Sequence, residues 1–167
     1  MRLRRANAAD VELLESMLDR CSVRTRTLRF NIPVRSLPRT YAVRIAQPAP
    51  GEAHWVAEID GAVVALASVS GAEIAVLVED AWQRRGLGTR VLGCAVAEAA
   101  QRGATQLAAD VAFGNPHALR MLSRLGETSV SVTPDGYRLV MQLDATVSPC
   151  STGPTTPRTA RSPVRSR

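Results

Sequence analysis

A short stretch in the middle of the chain combines residue types that suit phosphate binding. Residues 73–78 form an apolar run headed by Glu73, residues 83–88 read Gln-Arg-Arg-Gly-Leu-Gly, and a helical pattern begins near Thr89. The first amides of a helix have no partner within the helix, and they lie at the positive end of its dipole. A glycine-containing turn between a strand and a helix therefore predicts an anion site, with a phosphate as the expected ligand.

The spacing of this turn separates it from two common phosphate motifs. Residues 83–88 lack the closing lysine and hydroxyl residue of a Walker loop, and they lack the third glycine of the dinucleotide-binding fingerprint. A nucleoside triphosphatase and a nicotinamide-dependent dehydrogenase are therefore disfavoured. The spacing alone leaves one alternative open, an ordinary turn whose glycines relieve backbone strain and whose arginines are solvated.

Length and charge favour one folded domain without a nucleic acid partner. The chain has 167 residues. Its 21 basic side chains are all arginines, and it contains no lysine. From residue 146 onward the composition is rich in Ser, Thr, Pro and Arg, without an acidic residue. We expect a single domain over residues 1–145 and a disordered basic tail over residues 146–167. Without the tail the domain is close to neutral, which does not favour nucleic acid binding.

The remaining composition points to a cytoplasmic protein without a metal site. Cys21, Cys94 and Cys150 are widely spaced, so we expect free thiols in a reducing compartment. His54 and His117 have no partners at metal-ligand spacing. The longest apolar region, residues 61–78, is interrupted by polar residues, so we expect no membrane span. The sequence does not indicate an oligomeric state.

Hydrophobic periodicity predicts the elements that position the turn. Apolar spacing of three and four residues predicts helices over residues 8–21, from Ser36 onward, over residues 89–102 and from Asn115 onward. Asn7 is the expected N-cap of the first helix, and the arginine-rich residues 24–35 are assigned no element. Alternation and turn signals predict strands at the following places: residues 2–5, 54–59, 62–69, 73–78, 107–113, 130–132 and 137–143.

The order of these elements predicts how the sheet is connected. Asp60 and Gly61 form a hairpin signal, so the strands from residue 54 to residue 78 should make an antiparallel meander. A helix separates the strand at 73–78 from the strand at 107–113, which favours a parallel pair joined by a right-handed crossover.

The same segments together resemble a known superfamily. The strand at 73–78, the turn at 83–88, the helix after it and the segment 115–126 resemble the GNAT superfamily of acyl-CoA-dependent N-acetyltransferases. The turn matches the family's Gln/Arg-x-x-Gly-x-Gly/Ala motif at every defined position. Residues 26–30 and 107–125 are more specifically similar to the acetyltransferase domain of bacterial protein lysine acetyltransferases of the Pat type. The resemblance implies an α/β (α+β) GNAT fold, with a mixed, mostly antiparallel sheet, a splayed parallel strand pair and about four flanking helices.

The resemblance also implies a site for acetyl-CoA as cosubstrate. In the family, the turn amides hold the CoA pyrophosphate, the preceding strand pairs with the pantetheine arm, and an asparagine often contacts that arm. The corresponding residues here are Arg84, Arg85, Gly86, Leu87, Gly88 and Thr89 for the pyrophosphate, Val76, Leu77 and Val78 for the arm, and Asn115. An amide near Leu77 or Val78 would face the thioester oxygen as negative charge develops on it.

The resemblance implies acyl transfer to a primary amine, such as a protein lysine, by direct attack in a ternary complex. An alkyl amine has a pKa of about 10.4 and is protonated at neutral pH, so a base must remove its proton. Glu73 is the expected base, because it resembles the glutamate that heads this strand in several protein-acetylating family members. The general acid is unassigned, since Leu122 stands where many members have a tyrosine. Two alternatives stay open: acetylation of a small-molecule amine, and a degenerate module that binds acyl-CoA or a protein partner without catalysis.

Overall fold

The computed structural model describes residues 1–143, which fold around one seven-stranded sheet. The predicted tail at 146–167 lies outside the described residues. The strands occur along the chain in this order: β1 Arg2–Arg5, β2 Ala53–Ile59, β3 Ala62–Ser70, β4 Glu73–Val78, β5 Gln106–Ala112, β6 Thr128–Thr133 and β7 Gly136–Gln142. Their spatial order in the sheet is β1-β2-β3-β4-β5-β7-β6. All neighbouring strands are antiparallel except β4 and β5, which are parallel.

Five α-helices accompany the sheet within residues 1–143. They are α1 Asp10–Arg20, α2 Val23–Phe30, α3 Arg39–Ala46, α4 Leu87–Gln101 and α5 Pro116–Leu122, and a short 3-10 turn covers Asp80–Trp82. Helix α4 packs on one face of the sheet, where Val91, Leu92 and Ala95 are fully buried. Helices α1 and α3 pack on the opposite face, where Leu14 and Ile45 are fully buried. Successive side chains of β4 point to opposite faces of the sheet: Ile74 packs in the core beneath α4, and Leu77 packs in the core beneath α1 and α3.

The parallel strands β4 and β5 meet at one end only. Within the described residues their register contains the single pair Glu73 and Ala108, next to a backbone hydrogen bond of 2.7 Å from Ala108 N to Ala72 O. Each strand is fully paired on its other side, β4 with β3 and β5 with β7. The two strands therefore separate from Glu73 toward Val78, and the separation opens a gap in the middle of the sheet.

The structure corrects several local predictions. Helix α1 has Ala9 as its N-cap instead of Asn7, whose Oδ1 accepts a hydrogen bond of 2.9 Å from the Ala9 amide. The arginine-rich region, which received no element, forms α2. Cys21 is a buried free cysteine, as expected, but Cys94 is disulfide-bonded, so the prediction of a free thiol is wrong there. Among the described helices none has the length and apolar character needed to cross a bilayer.

Candidate active site

A cleft of about 570 Å³ lies where β4 and β5 separate. Its walls come from the C-terminal half of β4, the first turn of α4, the start of α5 and one side of α2. The strand contributes Val76, Leu77 and Val78 to this surface. Backbone groups of β4 beyond Glu73 are not paired with β5, so they are open to a ligand in the cleft.

The first turn of α4 forms one end of the cleft. Gly86 caps the helix with φ of 77°, a left-handed conformation that glycine adopts without a side-chain clash. The side-chain position of Gly88 faces the opposite wall, where a Cβ would lie 2.9 Å from Met121 Sδ and 3.4 Å from Val78 Cγ2. The amides at the start of α4 have no intrahelical partner. The absence of side chains at Gly86 and Gly88 therefore leaves these amides accessible to an anion.

Four arginines from three segments surround the cleft: Arg24 and Arg29 on α2, Arg84 in the turn before α4, and Arg124 after α5. Arg24 on α2 donates a hydrogen bond of 3.2 Å to the Gly114 carbonyl after β5, so this contact bridges the opening between the two strands. A phosphate group brought to the α4 amides would therefore find several guanidinium groups within the same cleft.

Asp80 fixes α2 to the loop that follows β4. Its carboxylate accepts hydrogen bonds from the Ser22 amide at 2.8 Å, the Ser22 hydroxyl at 2.8 Å and the Thr25 hydroxyl at 2.9 Å. Partial burial alone would raise the pKa of Asp80, but these hydrogen bonds outweigh it and lower the pKa. Asp80 thus stays ionised, and it holds the arginines of α2 over the cleft.

Most of the residues predicted to bind the donor line this cleft, but Leu87 and Arg85 do not. Leu87 is buried in the core at 5% exposure, so only its backbone is available to a ligand. The Arg85 guanidinium lies over the Trp82 ring at 5.0 Å from the ring centroid. Asn115 lines the cleft, but its Oδ1 accepts a hydrogen bond of 3.2 Å from the Ala118 amide and caps α5.

Glu73 lies at the point where β4 and β5 meet, outside the lining of the cleft. Its side chain is 52% exposed. Arg138 on β7 contacts both of its carboxylate oxygens, and the same guanidinium donates a hydrogen bond of 2.9 Å to Asp110 Oδ2. These bonds raise the pKa of Arg138 above its ordinary value. Leu122, where the resemblance leads us to expect a tyrosine, is 4% exposed and packs in the core, and its hydrocarbon side chain supplies no proton.

The sequence analysis missed the contribution of α2 to the site. The helix buries no residue fully, so it has no apolar stripe that periodicity could detect. Its N-cap was a usable signal, because the Ser22 side chain accepts a hydrogen bond from the Thr25 amide. Its C-cap, Asn31 in the left-handed conformation, was a second one.

Comparison with known families decides what kind of protein has this cleft. The sequence matches the Acetyltransferase (GNAT) family over residues 23–126. The chain belongs to the GNAT acetyltransferase family. The matched region contains the cleft from α2 to α5, and the family predicted from the turn motif is confirmed. Comparison of the sequence with curated proteins finds no significant match.

Solved structures confirm the GNAT fold that was predicted. The GNAT domain of S. lividans PAT superposes with a TM-score of 0.75 and 23% identity, covering 84% of this chain and 89% of that one. The putative acetyltransferase yncA from Salmonella typhimurium, solved with its cofactor acetyl-CoA, gives a TM-score of 0.67 and 21% identity over 89% of this chain and 97% of its own. A phosphinothricin acetyltransferase from Sinorhizobium meliloti, solved in complex with AcCoA, gives a TM-score of 0.67 and 16% identity. The match covers 90% of this chain and 93% of that one.

Proposed function

We propose that this GNAT protein transfers an acetyl group from acetyl-CoA to a primary amine. The observation that carries the proposal is the start of α4, where Gly86 and Gly88 leave backbone amides open to a cleft that also contains four arginines. Such a site suits a pyrophosphate with a long uncharged arm. Two structural neighbours were solved with acetyl-CoA, which supports the same cosubstrate here.

The donor would be held by two sets of backbone groups. The amides from Arg84 to Thr89 would bind the pyrophosphate, and the unpaired edge of Val76, Leu77 and Val78 would hydrogen bond the pantetheine arm. When bound, acetyl-CoA supplies an activated thioester. An amide of β4 near Leu77 would stabilise the negative charge that develops on the thioester oxygen.

The acceptor would approach on the face of the sheet that carries Glu73. Helices α1 and α3 pack over this face through Val56, Leu66 and Leu77 on β2, β3 and β4. Farther along the same face Asp110 is 61% exposed and Arg138 is 33% exposed, and this open surface supports a large acceptor such as a protein lysine. Glu73 would act as the base for direct attack in a ternary complex. A cytoplasmic location and a bacterial source stay predictions.

The test of this function is release of the CoA thiol from acetyl-CoA across a panel of proteins and small amines. Glu73→Gln should lower turnover by about 10²-fold or more, because the amide cannot accept a proton, while the dissociation constant of acetyl-CoA changes little. Asp110→Asn is the matched control, because it also removes a carboxylate from Arg138. Equal losses in the two variants would assign the effect to Arg138 and remove Glu73 from the mechanism.

The panel also separates the alternatives. Turnover with small amines and none with proteins would establish acetylation of small molecules. Binding of acetyl-CoA without thiol release for any acceptor would favour a non-catalytic binding module, the reading supported by the buried Leu122 in place of a tyrosine.

A further inference from the structure

Arg29 of α2 is a half-buried arginine whose only hydrogen bond within residues 1–143 goes to a neutral group. It lines the cleft between β4 and β5, and its Nη2 lies 2.5 Å from the hydroxyl oxygen of Tyr41. Other arginines that the fold partly buries, Arg4 and Arg138, each contact two carboxylates. Because a desolvated charge is costly without a counter-charge, the cleft at Arg29 suits an anionic ligand.

The guanidinium of Arg29 is held in place by its neighbours. Its central carbon lies 4.8 Å from the centre of the Phe30 ring and 5.0 Å from the centre of the Tyr41 ring. Tyr41 is anchored in turn by a short hydrogen bond with Ser68, which is 4% exposed. A guanidinium has five N–H donors, and one of them is used here, so others remain for a ligand in the cleft. A donor fixed in this way loses little side-chain freedom when it binds an anion.

The position of Arg29 along β4 separates it from the site proposed for the pyrophosphate. Ser68 pairs directly with Ala75 of β4, so the contacts that anchor Arg29 end at Ala75. The first turn of α4 lies at Val78 instead, since a Cβ on Gly88 would be 3.4 Å from Val78 Cγ2. Three strand residues span about 10 Å, and side chains three residues apart point to opposite faces of the sheet. Arg29 and the phosphate site therefore lie at different ends of this strand segment.

Arg29 lies on the face of the sheet that the acceptor would approach. Side chains two residues apart on a strand point to the same face, so Ala75 shares this face with Glu73 and Leu77. Acetyl-CoA bound as proposed would run along β4 from Val78 toward Glu73 and bring its thioester to the same region. An anion on Arg29 would therefore belong to one of the two reacting groups, and not to the CoA phosphates.

We propose that Arg29 binds a carboxylate carried by the acceptor amine, an inference that rests on the proposed acetyltransferase function. Alternate residues of a strand are about 7 Å apart, so Glu73 lies within that distance of Ala75 along β4. Glu73 and Asp110 share the single guanidinium of Arg138, so that cluster is negative overall. A negative cluster and a positive Arg29 on one face complement an amine and a carboxylate a few bonds apart. The acceptor is an amino acid, or a protein lysine beside an acidic residue.

The test is a cycle of two proteins and two acceptors. Arg29→Gln should lower kcat/KM for linear amino acids, in a series from glycine to aminohexanoate, by about tenfold or more at the best spacing. For the alkyl amine of matching length the variant should stay near wild type, because that amine has no group for Arg29. Comparing the two effects cancels differences in amine pKa and in folding. Arg29→Lys, which keeps the charge, should retain part of the preference. Arg39→Gln is the control, since it removes an exposed guanidinium at the start of α3.

A second arm of the experiment identifies the molecule that carries the carboxylate. Peptides with a lysine beside a glutamate are compared with the same peptides carrying glutamine. A preference for glutamate that disappears in Arg29→Gln assigns the carboxylate to a protein acceptor, whereas a loss with amino acids alone assigns it to a small molecule. Equal effects of Arg29→Gln on acceptors with and without a carboxylate, in both arms, would overturn the inference and leave the proposed function untouched.

Two measurements on the donor complete the test. Calorimetric titration should give the same dissociation constant of acetyl-CoA for Arg29→Gln and wild type, and an increase of about tenfold would place Arg29 at the CoA phosphates and overturn the inference. Turnover of succinyl-CoA is compared with that of butyryl-CoA, and a preference for succinyl-CoA that depends on Arg29 would move the carboxylate to the acyl group and overturn it as well. Absence of thiol release in the wild type with every acceptor would contradict the proposed function and this inference with it.

Discussion

Gly88 lies in the first turn of α4, where the donor cleft leaves little room for a side chain. A Cβ there would meet Met121 Sδ at 2.9 Å, and it would extend into the space beside the first amides of α4. Gly93 lies on the same helix with nothing within 4 Å of its Cβ position, so it is a matched control. Both residues have ordinary helical backbones, and their replacement by alanine differs mainly in the space that the methyl group finds.

We therefore expect opposite results from the two glycines. Gly88→Ala should raise the dissociation constant of acetyl-CoA by about tenfold, which is about 1.4 kcal/mol, and calorimetric titration measures it. Gly93→Ala should leave binding unchanged and increase the free energy of unfolding by up to about 1 kcal/mol, because alanine favours the helix. Unchanged acetyl-CoA affinity in Gly88→Ala would contradict the placement of the pyrophosphate at this turn.

The residues whose chemistry depends on neighbours distant in sequence could not be predicted from local patterns. Glu73 was recognisable from its place at the head of β4, but Arg138, which binds it, lies 65 positions away. Tyr41, which anchors Arg29, belongs to no motif, and its partner Ser68 comes from another element. The turn at 83–88 was predictable because its whole function is contained in consecutive backbone groups.

Helix α2 is held to the molecule by a few polar contacts. Asp80 binds both Ser22 and Thr25, while the helix itself buries no residue fully. Asp80→Ala should therefore increase amide hydrogen exchange in residues 23–30 and lower the free energy of unfolding by about 1 kcal/mol. The exposed Asp19 of α1 supplies the control, since Asp19→Ala should leave exchange in α2 unchanged. Unchanged protection of α2 in Asp80→Ala would show that other contacts hold the helix.

The elements that could be predicted from the sequence are those with a regular apolar pattern. Strand β4 was predicted with the bounds that the structure shows, and α4 was predicted two residues short at its N-terminus, because Leu87 and Gly88 read as part of the turn. Helix α2 has an arginine-rich surface and depends on Asp80, which lies on a different element. Local periodicity does not contain that information.

The stability of the whole molecule should depend on acid pH through Glu52. A hydrogen bond from Arg44, with help from the Ala49 amide and the Ser70 hydroxyl, outweighs burial and lowers the pKa of Glu52 to about 2. The unfolded chain has the ordinary value near 4.5. Because the folded pKa is depressed, this contribution is fully present above the unfolded pKa and is lost as the pH falls toward 2.

Urea unfolding between pH 6 and pH 2, at intervals of about one unit, measures this contribution. The free energy of unfolding should decrease below about pH 5 in the wild type, and Glu52→Gln should show a shallower decrease together with lower stability at neutral pH. Identical slopes in the two proteins would assign acid sensitivity to other carboxylates. His54, whose pKa is also lowered, would add a loss in the same direction as the unfolded ring becomes protonated.

The single pairing of β4 with β5 has a consequence for association between chains. Strands that end a sheet at its surface expose unpaired amides and carbonyls, and these promote aggregation. Here the unpaired groups of β4 beyond Glu73 and the facing edge of β5 lie inside the sheet, at a gap bridged by the contact of Arg24 with Gly114. A narrow ligand can pair with this interior edge, whereas a strand of another chain would first have to displace α2. The fold thus leaves the unpaired backbone groups of this edge open to a narrow ligand, while α2 blocks their pairing with a strand of another chain.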